Sequence, residues 1–400
     1  MRPGGSERRG GHVSATQGGE ELSREELLRY GRHLTLPEVG PEGQARLKAA
    51  RVLVVGAGGL GSPACLYLAA AGVGCLGVMD GDQVETSNLQ RQVLYTTADV
   101  GRGKSDAARE RLQALNPHVE VVAHPERLST GNSTEIFSGY DVVVDASDNF
   151  PTRYLVNDTC VAMGKPDVYG SVHRFEGQVA VFWAPRGPCY RCLHPQPPPT
   201  GLVADCATAG VLGVLPGVIG ALQAAETLKL VLGIGTPLVG RLLVADLLGA
   251  GWRELRLPKD PRCPACGSEP GAGRRAAGQE ECNSMTCHGS AAAPPPGSID
   301  ARALQGWLAG GGTPLLLDVR EVHEWRICNL PGSVLVPFGT LPARLQDLPR
   351  DRGIVVYCHS GARSGRAARF LRERGFARVY NLRGGIDAWA REVDPSMPTY

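Results

Sequence analysis

Short apolar runs alternate with helical patterns along most of this chain. The run RVLVV at Arg51 leads through a glycine-rich turn into an alanine-rich helical pattern, and the apolar runs CLGVMD and VVVD follow it. Ser23 opens SREE, the capping-box pattern of a helix start. The run VLGVLPGVIGALQAAETLKLVLG predicts a buried helix with Pro216 near its start. Near the C-terminus, PLLLD and GIVVYC repeat the alternation, so the chain is expected to be α/β throughout.

A chain of 400 residues is expected to form two domains, because one domain usually takes about 100 to 200 residues. We expect the first at residues 23–267 and a smaller second one at residues 298–400. The segment between them, residues 268–297, ends in AAAPPPG, which predicts a flexible-to-semirigid linker. Residues 1–22 are polar and glycine-rich and are expected to be a disordered tail.

Charge and hydropathy exclude two classes of partner. The chain has 42 basic and 40 acidic residues, a net charge of +2 that is too balanced for a polyanion-binding surface. No apolar run reaches the ~18 residues that suggest a membrane span. We therefore expect a protein that has no direct nucleic-acid partner and no membrane association. Because no signal peptide is visible, we also expect it to be cytoplasmic.

The glycine turn carries the first candidate chemistry. Gly56, Gly58 and Gly61 have GxGxxG spacing between a predicted strand and a predicted helix, where the backbone can approach a phosphate closely. Asp80 ends the next apolar run, where a carboxylate can accept hydrogen bonds from ribose hydroxyls. Dinucleotide oxidoreductases share this turn, so the motif alone leaves a dehydrogenase open.

The residues that follow Asp80 favour triphosphate chemistry over hydride transfer. Arg91 and Lys104 supply a fixed and a flexible cation, and Asn88 supplies a neutral donor. Asp148 stands at the end of a predicted strand, where it can hold Mg²⁺. Such a set predicts attack on the α-phosphate of ATP. The alternative is that both cations are solvated surface residues and that Asp148 caps a helix.

Residues 23–267 resemble the MoeB/ThiF family, the bacterial relatives of ubiquitin-activating enzymes. The resemblance implies a Rossmann-like domain and a homodimer in which Arg32 reaches into the partner's site, although Arg32 could also be an ordinary helix-surface residue. Cys206 matches a family cysteine that forms a thioester or acyl disulfide. The alternative is that Cys206 serves only as a small residue at the start of a helix. The residues implied to contact ATP or its metal are Gly59, Asp80, Ser87, Asn88, Leu89, Gln90, Arg91, Lys104, Asp148 and Asn149.

Two cysteine pairs predict a metal site in the first domain. Cys189 and Cys192 form CYRC, and Cys263 and Cys266 form CPAC at the end of the same domain. Four thiolates at this spacing suit one tetrahedral structural zinc ion. Disulfides are the alternative, which we disfavour because no signal peptide is visible in the sequence.

Cys358 lies in CHSGARSG, between a predicted strand and a predicted helix. Backbone N–H groups and the helix dipole stabilise an anionic sulfur at such a position. Arg363 follows within the loop, which is shorter than the loop of cysteine phosphatases and suits a persulfide better than a phosphate. The alternative is an inert core thiol. Together with PLLLDVREVHEW and RGGIDAW, the loop makes residues 298–400 resemble an α/β rhodanese domain.

The two resemblances together are typical of the fused adenylyltransferase and sulfurtransferase family that contains molybdenum cofactor synthesis protein 3 and MoeZ. This family implies that ATP and Mg²⁺ adenylate the C-terminal glycine of a ubiquitin-like sulfur carrier ending in Gly-Gly. Sulfur from a Cys358 persulfide, charged by a cysteine desulfurase or another sulfane donor, then makes a thiocarboxylate for molybdenum cofactor synthesis and, in eukaryotes, tRNA wobble uridine thiolation. The alternative is a rhodanese domain that acts only as a docking module.

Overall fold

The computed structural model describes residues 22–197, 210–268 and 297–399. The chain divides into two compact units, Met1–Asn283 and Ser284–Tyr400, and both are α/β, as predicted. Cys206, the larger parts of the expected tail and linker, and Tyr400 lie outside the described residues.

The first unit is built on one eight-stranded sheet with the order β3-β2-β1-β4-β5-β6-β7-β8. The pairs β3–β2, β2–β1, β1–β4 and β4–β5 are parallel. The pairs β5–β6, β6–β7 and β7–β8 are antiparallel. The strands are β1 (Arg51–Val55), β2 (Cys75–Met79), β3 (Glu120–His124), β4 (Val142–Asp145), β5 (Asp167–His173), β6 (Glu176–Phe182), β7 (Arg241–Asp246) and β8 (Gly251–Arg256).

Helices cover the parallel part of this sheet, which explains why β2 and β4 are buried along their whole length and read as continuous apolar runs. The first helix begins with the predicted capping box between Ser23 and Glu26. The helices are α1 (Arg24–Arg29), α2 (Gly31–Leu34), α3 (Gly40–Ala49), α4 (Gly61–Ala71), α5 (Lys104–Leu115), α6 (Ser133–Ser138), α7 (Phe150–Met163), α8 (Tyr190–Leu193) and α9 (Val214–Leu232), with 3₁₀ turns at Thr86–Asn88 and Thr97–Asp99.

Helix α9 confirms the predicted apolar helix, with Pro216 in its first turn where a missing N–H costs no hydrogen bond. Among the described residues it alone is long and apolar enough to cross a membrane, with a mean hydropathy of 1.3. It packs against α3, α4, β5 and β6, and half of it is buried. These contacts make it a core helix of the first unit.

The second unit has a five-stranded parallel sheet in the order β11-β10-β12-β13-β9. Its central strand β12 is fully buried and ends immediately before Cys358. The strands are β9 (Ser298–Ile299), β10 (Leu315–Asp318), β11 (Val334–Leu335), β12 (Ile354–Tyr357) and β13 (Val379–Leu382); the helices are α10 (Ala301–Ala309), α11 (Val322–Trp325), α12 (Ala362–Glu373) and α13 (Gly385–Glu392), with a 3₁₀ segment at Leu341–Asp347.

Candidate functional site

A cleft of about 450 Å³ opens at the carboxyl ends of β1, β2 and β4. The chain order of the sheet reverses between β1 and β4, so the loops after these strands diverge and leave a crevice. Its volume lies in the range of small-molecule sites. Six of the residues that the sequence assigned to ATP binding line it: Gly59, Asp80, Arg91, Lys104, Asp148 and Asn149.

The glycine turn forms the floor of this cleft, and its packing requires glycine. Gly56 has φ +94°, and a Cβ there would lie 2.8 Å from the carbonyl oxygen of Ala146. A Cβ on Gly61 would lie 1.9 Å from the carbonyl oxygen of Gly56. The turn therefore presents bare backbone to the cleft, as close approach to a phosphate demands.

Asp80 and Lys104 form the charged wall of the cleft. Asp80 accepts hydrogen bonds from the backbone N–H groups of Ala57 and Asp82, both at 2.9 Å. Burial raises the pKa of Asp80, while the Lys104 ammonium opposes the rise. The Nζ of Lys104, 9% exposed in its side chain, lies 3.9 Å from Asp80 and 3.5 Å from Asp82. Both charges are thus held in place before any ligand binds.

The segment from Ser87 to Gln90 does not line the cleft. Asn88 is buried, and its side-chain oxygen accepts from the backbone N–H of Glu85 at 3.3 Å. The carbonyl oxygen of Ser87 accepts from Nη1 of Arg91 at 3.0 Å. These residues therefore position Arg91, which does reach the cleft. Arg32 is exposed on the short helix α2 and is absent from the cleft lining of its own chain.

The loop after β4 places Asp148 at the mouth of the cleft as an exposed carboxylate. Asn149 caps α7 by accepting from the backbone N–H of Thr152 at 3.0 Å, so the helix cap is Asn149 and not Asp148. Behind the loop, Arg153 donates to the carbonyl oxygen of Ser147 at 3.1 Å. An exposed acidic oxygen on a fixed loop is a suitable Mg²⁺ ligand.

Several cleft residues were missed by the sequence analysis. Arg127, after β3, pairs with Asp82 at 2.7 Å, and both line the cleft beside Glu126. Gln92 also lines it, and its buried side-chain oxygen has no hydrogen-bond partner among the described residues. Of these residues only Asp82, the second aspartate of DGD and two positions after Asp80, gave a signal in the sequence.

The four predicted metal ligands come together in the first unit, with Cys189 and Cys263 buried. The Sγ atoms of Cys189 and Cys263 are 3.5 Å apart, as are those of Cys192 and Cys266, and all four lie within 4.8 Å of one another. A tetrahedral zinc site with Zn–S bonds of about 2.3 Å has S···S edges of about 3.8 Å. The cluster therefore fits zinc in both ligand chemistry and size.

Helix α7 fastens this cluster to the cleft loop. Asp158 forms two hydrogen bonds of 2.8 Å with Arg191, which lies between two of the cysteines. The side chain of Asn157 accepts from the backbone N–H of Tyr190 at 2.7 Å. One helix thus carries the Asn149 cap at its start and holds the CYRC segment along its side.

In the second unit Cys358 lies at the β12-to-α12 connection, as predicted, but it is buried, with 1% of its surface exposed. Its Sγ accepts from the backbone N–H of Gly361 at 3.2 Å and from the hydroxyl of Ser364 at 3.4 Å. Arg363, in the first turn of α12, pairs with Glu324. The sulfur therefore has two donors, the N-cap backbone and a first-turn hydroxyl at the start of α12.

Comparison with known proteins agrees with these sites. The ThiF family matches residues 30–265, and the rhodanese-like domain matches residues 300–392. The probable adenylyltransferase/sulfurtransferase MoeZ of Mycobacterium tuberculosis is 45% identical over 95% of this chain and 96% of its own. A sulfur carrier protein adenylyltransferase of Thermus thermophilus is 61% identical over 62% of this chain and 93% of its own.

The crystal structure of PaaA shares the fold, with a TM-score of 0.52 and 26% identity over 62% of this chain and 78% of its own. The ThiF match thus contains the cleft, and the rhodanese-like match contains the Cys358 loop. The chain belongs to the ThiF family, and within it to the adenylyltransferase/sulfurtransferases in which a rhodanese domain follows the adenylating domain.

Proposed function

We propose that the chain adenylates the C-terminal glycine of a ubiquitin-like carrier ending in Gly-Gly and then replaces the activated oxygen by sulfur from Cys358. The observation that carries this proposal is the presence, in one chain, of a cation-lined nucleotide cleft and a donor-lined thiol loop. A carboxylate is a poor acyl donor until it is activated, and a persulfide is a strong nucleophile.

In the first step a carboxylate oxygen of the carrier attacks the α-phosphorus of ATP, and pyrophosphate leaves with the bonding electron pair. Lys104 and Arg91 neutralise the charge that develops on the phosphates, and the glycine turn lets the backbone approach them. Asp80 accepts from the ribose hydroxyls. Asp148 is suited to hold Mg²⁺, which when bound would screen the triphosphate.

In the second step the outer sulfur of a Cys358 persulfide attacks the acyl carbon of the adenylate, and AMP leaves. This gives an acyl disulfide on Cys358. The Cys206 thiolate then attacks the Cys358 sulfur, forms a disulfide with it and expels the carrier thiocarboxylate. Two equivalents of a cellular thiol then reduce this disulfide and leave as their own disulfide. Cys206 lies outside the described residues, so this role rests on its match to the family.

The remaining assignments concern cofactors, partners and setting. We assign one structural zinc ion per chain to the four cysteines, and we assign to Arg32 a contact with the nucleotide of a homodimer partner. A cysteine desulfurase or another sulfane donor recharges Cys358. The products serve molybdenum cofactor synthesis and, in a eukaryotic host, tRNA wobble uridine thiolation. A persulfide needs a reducing compartment, which favours the cytosol.

Mass spectrometry of a Gly-Gly carrier incubated with the protein, ATP, Mg²⁺ and a sulfur donor tests the proposal. The carrier should gain the mass that results from exchange of one oxygen for one sulfur. Cys358→Ala should still form the acyl adenylate but should make no thiocarboxylate unless inorganic sulfide is added to attack the adenylate directly. Cys328→Ala, which removes another buried cysteine of the same unit, should retain activity.

The result also separates the proposal from a docking role for the second unit. Normal thiocarboxylate yield from Cys358→Ala without added sulfide would show that the rhodanese-like unit only docks a partner. Failure of the wild-type protein to form an acyl adenylate with any Gly-Gly carrier would refute the first step.

A further inference from the structure

Arg363, in the helix that follows Cys358, does not carry an unmatched charge. Nη1 of Arg363 donates to Oε2 of Glu324 at 2.6 Å, and Nη2 donates to Oε1 of the same carboxylate. The pair is largely shielded from water, since the Glu324 side chain is 7% exposed and that of Arg363 is 18% exposed. Such two-bond pairs are the strongest and most directional ion pairs in proteins.

Glu324 is itself held by the surrounding structure. Its Oε2 accepts from the backbone N–H of Glu321 in the capping box that begins α11. Its backbone oxygen accepts from Nη1 of Arg320 at 3.4 Å. Arg320 is fully buried and is fixed in turn by Asp318 at 2.6 Å. The carboxylate is therefore a fixed partner of Arg363.

The other basic side chain of the loop adds little positive charge. His359 is half-buried, and burial lowers its pKa, which favours the neutral imidazole. The groups that donate to the Cys358 sulfur, the Gly361 N–H and the Ser364 hydroxyl, are uncharged. The loop can stabilise one negative charge on a sulfur with these dipoles, but it offers little to a second charge on the incoming donor.

We propose that Glu324 determines which class of sulfur donor charges Cys358: by neutralising Arg363, it disfavours small dianions such as thiosulfate and favours a hydropersulfide carried by another thiol. The inference rests on the proposed function of Cys358. With thiosulfate, the thiolate attacks the outer sulfur, the S–S bond breaks, and sulfite leaves with the electron pair. With a hydropersulfide RS–SH, the thiolate attacks the terminal sulfur and RS⁻ leaves.

Glu324→Gln tests the inference in the full-length protein. The amide oxygen of glutamine can still accept from Glu321, as glutamine does in capping boxes, so the fold should persist. Because Arg363 then loses the negative charge of residue 324, kcat/KM for thiosulfate should rise by about tenfold or more. The kcat/KM for the hydropersulfide of 2-mercaptoethanol, which carries no charged group besides its sulfur, should change less than about twofold.

Two further variants distinguish local from general charge effects. Glu321→Gln removes the exposed negative charge of the residue that caps α11, while the glutamine oxygen can still accept from the Glu324 backbone in the capping box. It should leave kcat/KM for both donors unchanged. In an Arg363→Gln background the arginine charge is already gone. Glu324→Gln should then raise kcat/KM for thiosulfate little or not at all.

The outcomes separate this inference from the proposed function. Equal changes for both donors in Glu324→Gln, or a thiosulfate gain of the same size in Glu321→Gln, would overturn the role of Glu324 alone. If Cys358 gains no sulfur from either donor in any variant, as followed by the protein's mass, the sulfurtransfer function itself is refuted together with the inference.

Discussion

Gly61→Ala tests how tightly the glycine turn is packed beneath the nucleotide cleft. The new Cβ would lie 1.9 Å from the Gly56 carbonyl oxygen, whereas contacts under 3.0 Å are essentially never seen. The start of α4 must therefore move by at least about 1.1 Å, the difference between 3.0 and 1.9 Å. Overpacking of this kind costs about 1–3 kcal/mol of unfolding free energy.

For a domain of this size such a loss lowers the melting temperature by roughly 2–4 °C per kcal/mol. The displaced turn should also weaken ATP binding, so added ATP should stabilise the variant less than the wild type. Differential scanning fluorimetry with and without ATP measures both effects. Gly217→Ala is the control, because a Cβ there meets nothing within 4 Å in the interior of α9 and should gain up to about 1 kcal/mol. Wild-type melting and ATP response in Gly61→Ala would refute the packing argument.

Three further variants test other parts of the chain. Asp148→Ala should abolish carrier-dependent exchange of pyrophosphate into ATP while Cys358 still takes up sulfur; loss of both would argue against independent units. Cys263→Ser should release zinc, measured by elemental analysis, and should lower the melting temperature, because a closed site is worth on the order of 10 kcal/mol. Asp167→Asn should flatten the pH dependence of stability: burial raises the pKa of Asp167, so the wild type loses stability as pH rises from about 4 towards that pKa. Parallel wild-type and variant curves of melting temperature against pH would contradict this.

The parts of the sites that are local in sequence were predictable. The glycine turn, the two CxxC pairs and the Cys358 loop are each fixed by residues a few positions apart, and the apolar runs around them show the strands that position them. The placement of Asp148 followed from the same reasoning, because the carboxyl ends of neighbouring parallel strands meet at one edge.

The parts that depend on tertiary pairing were not predictable. Arg127 contacts Asp82 only because β3 lies beside β2. The sequence of neither segment indicates that these two residues pair. The pairing of Arg363 with Glu324 likewise needs the packed second unit. The sequence indicated a reactive loop but could not show that Cys358 is buried or that the loop arginine is already neutralised.

Helix α7 has a practical consequence for anyone who handles this protein. Because it is hydrogen-bonded to the CYRC segment through Asp158 and begins just after Asp148, we expect damage at the cysteines to displace the loop that lines the nucleotide cleft. Purification with strong chelators should therefore yield preparations that have lost adenylation but still carry sulfur on Cys358. Differences in activity between such batches would be wrongly attributed to the quality of the carrier protein unless the zinc content of the enzyme is measured first.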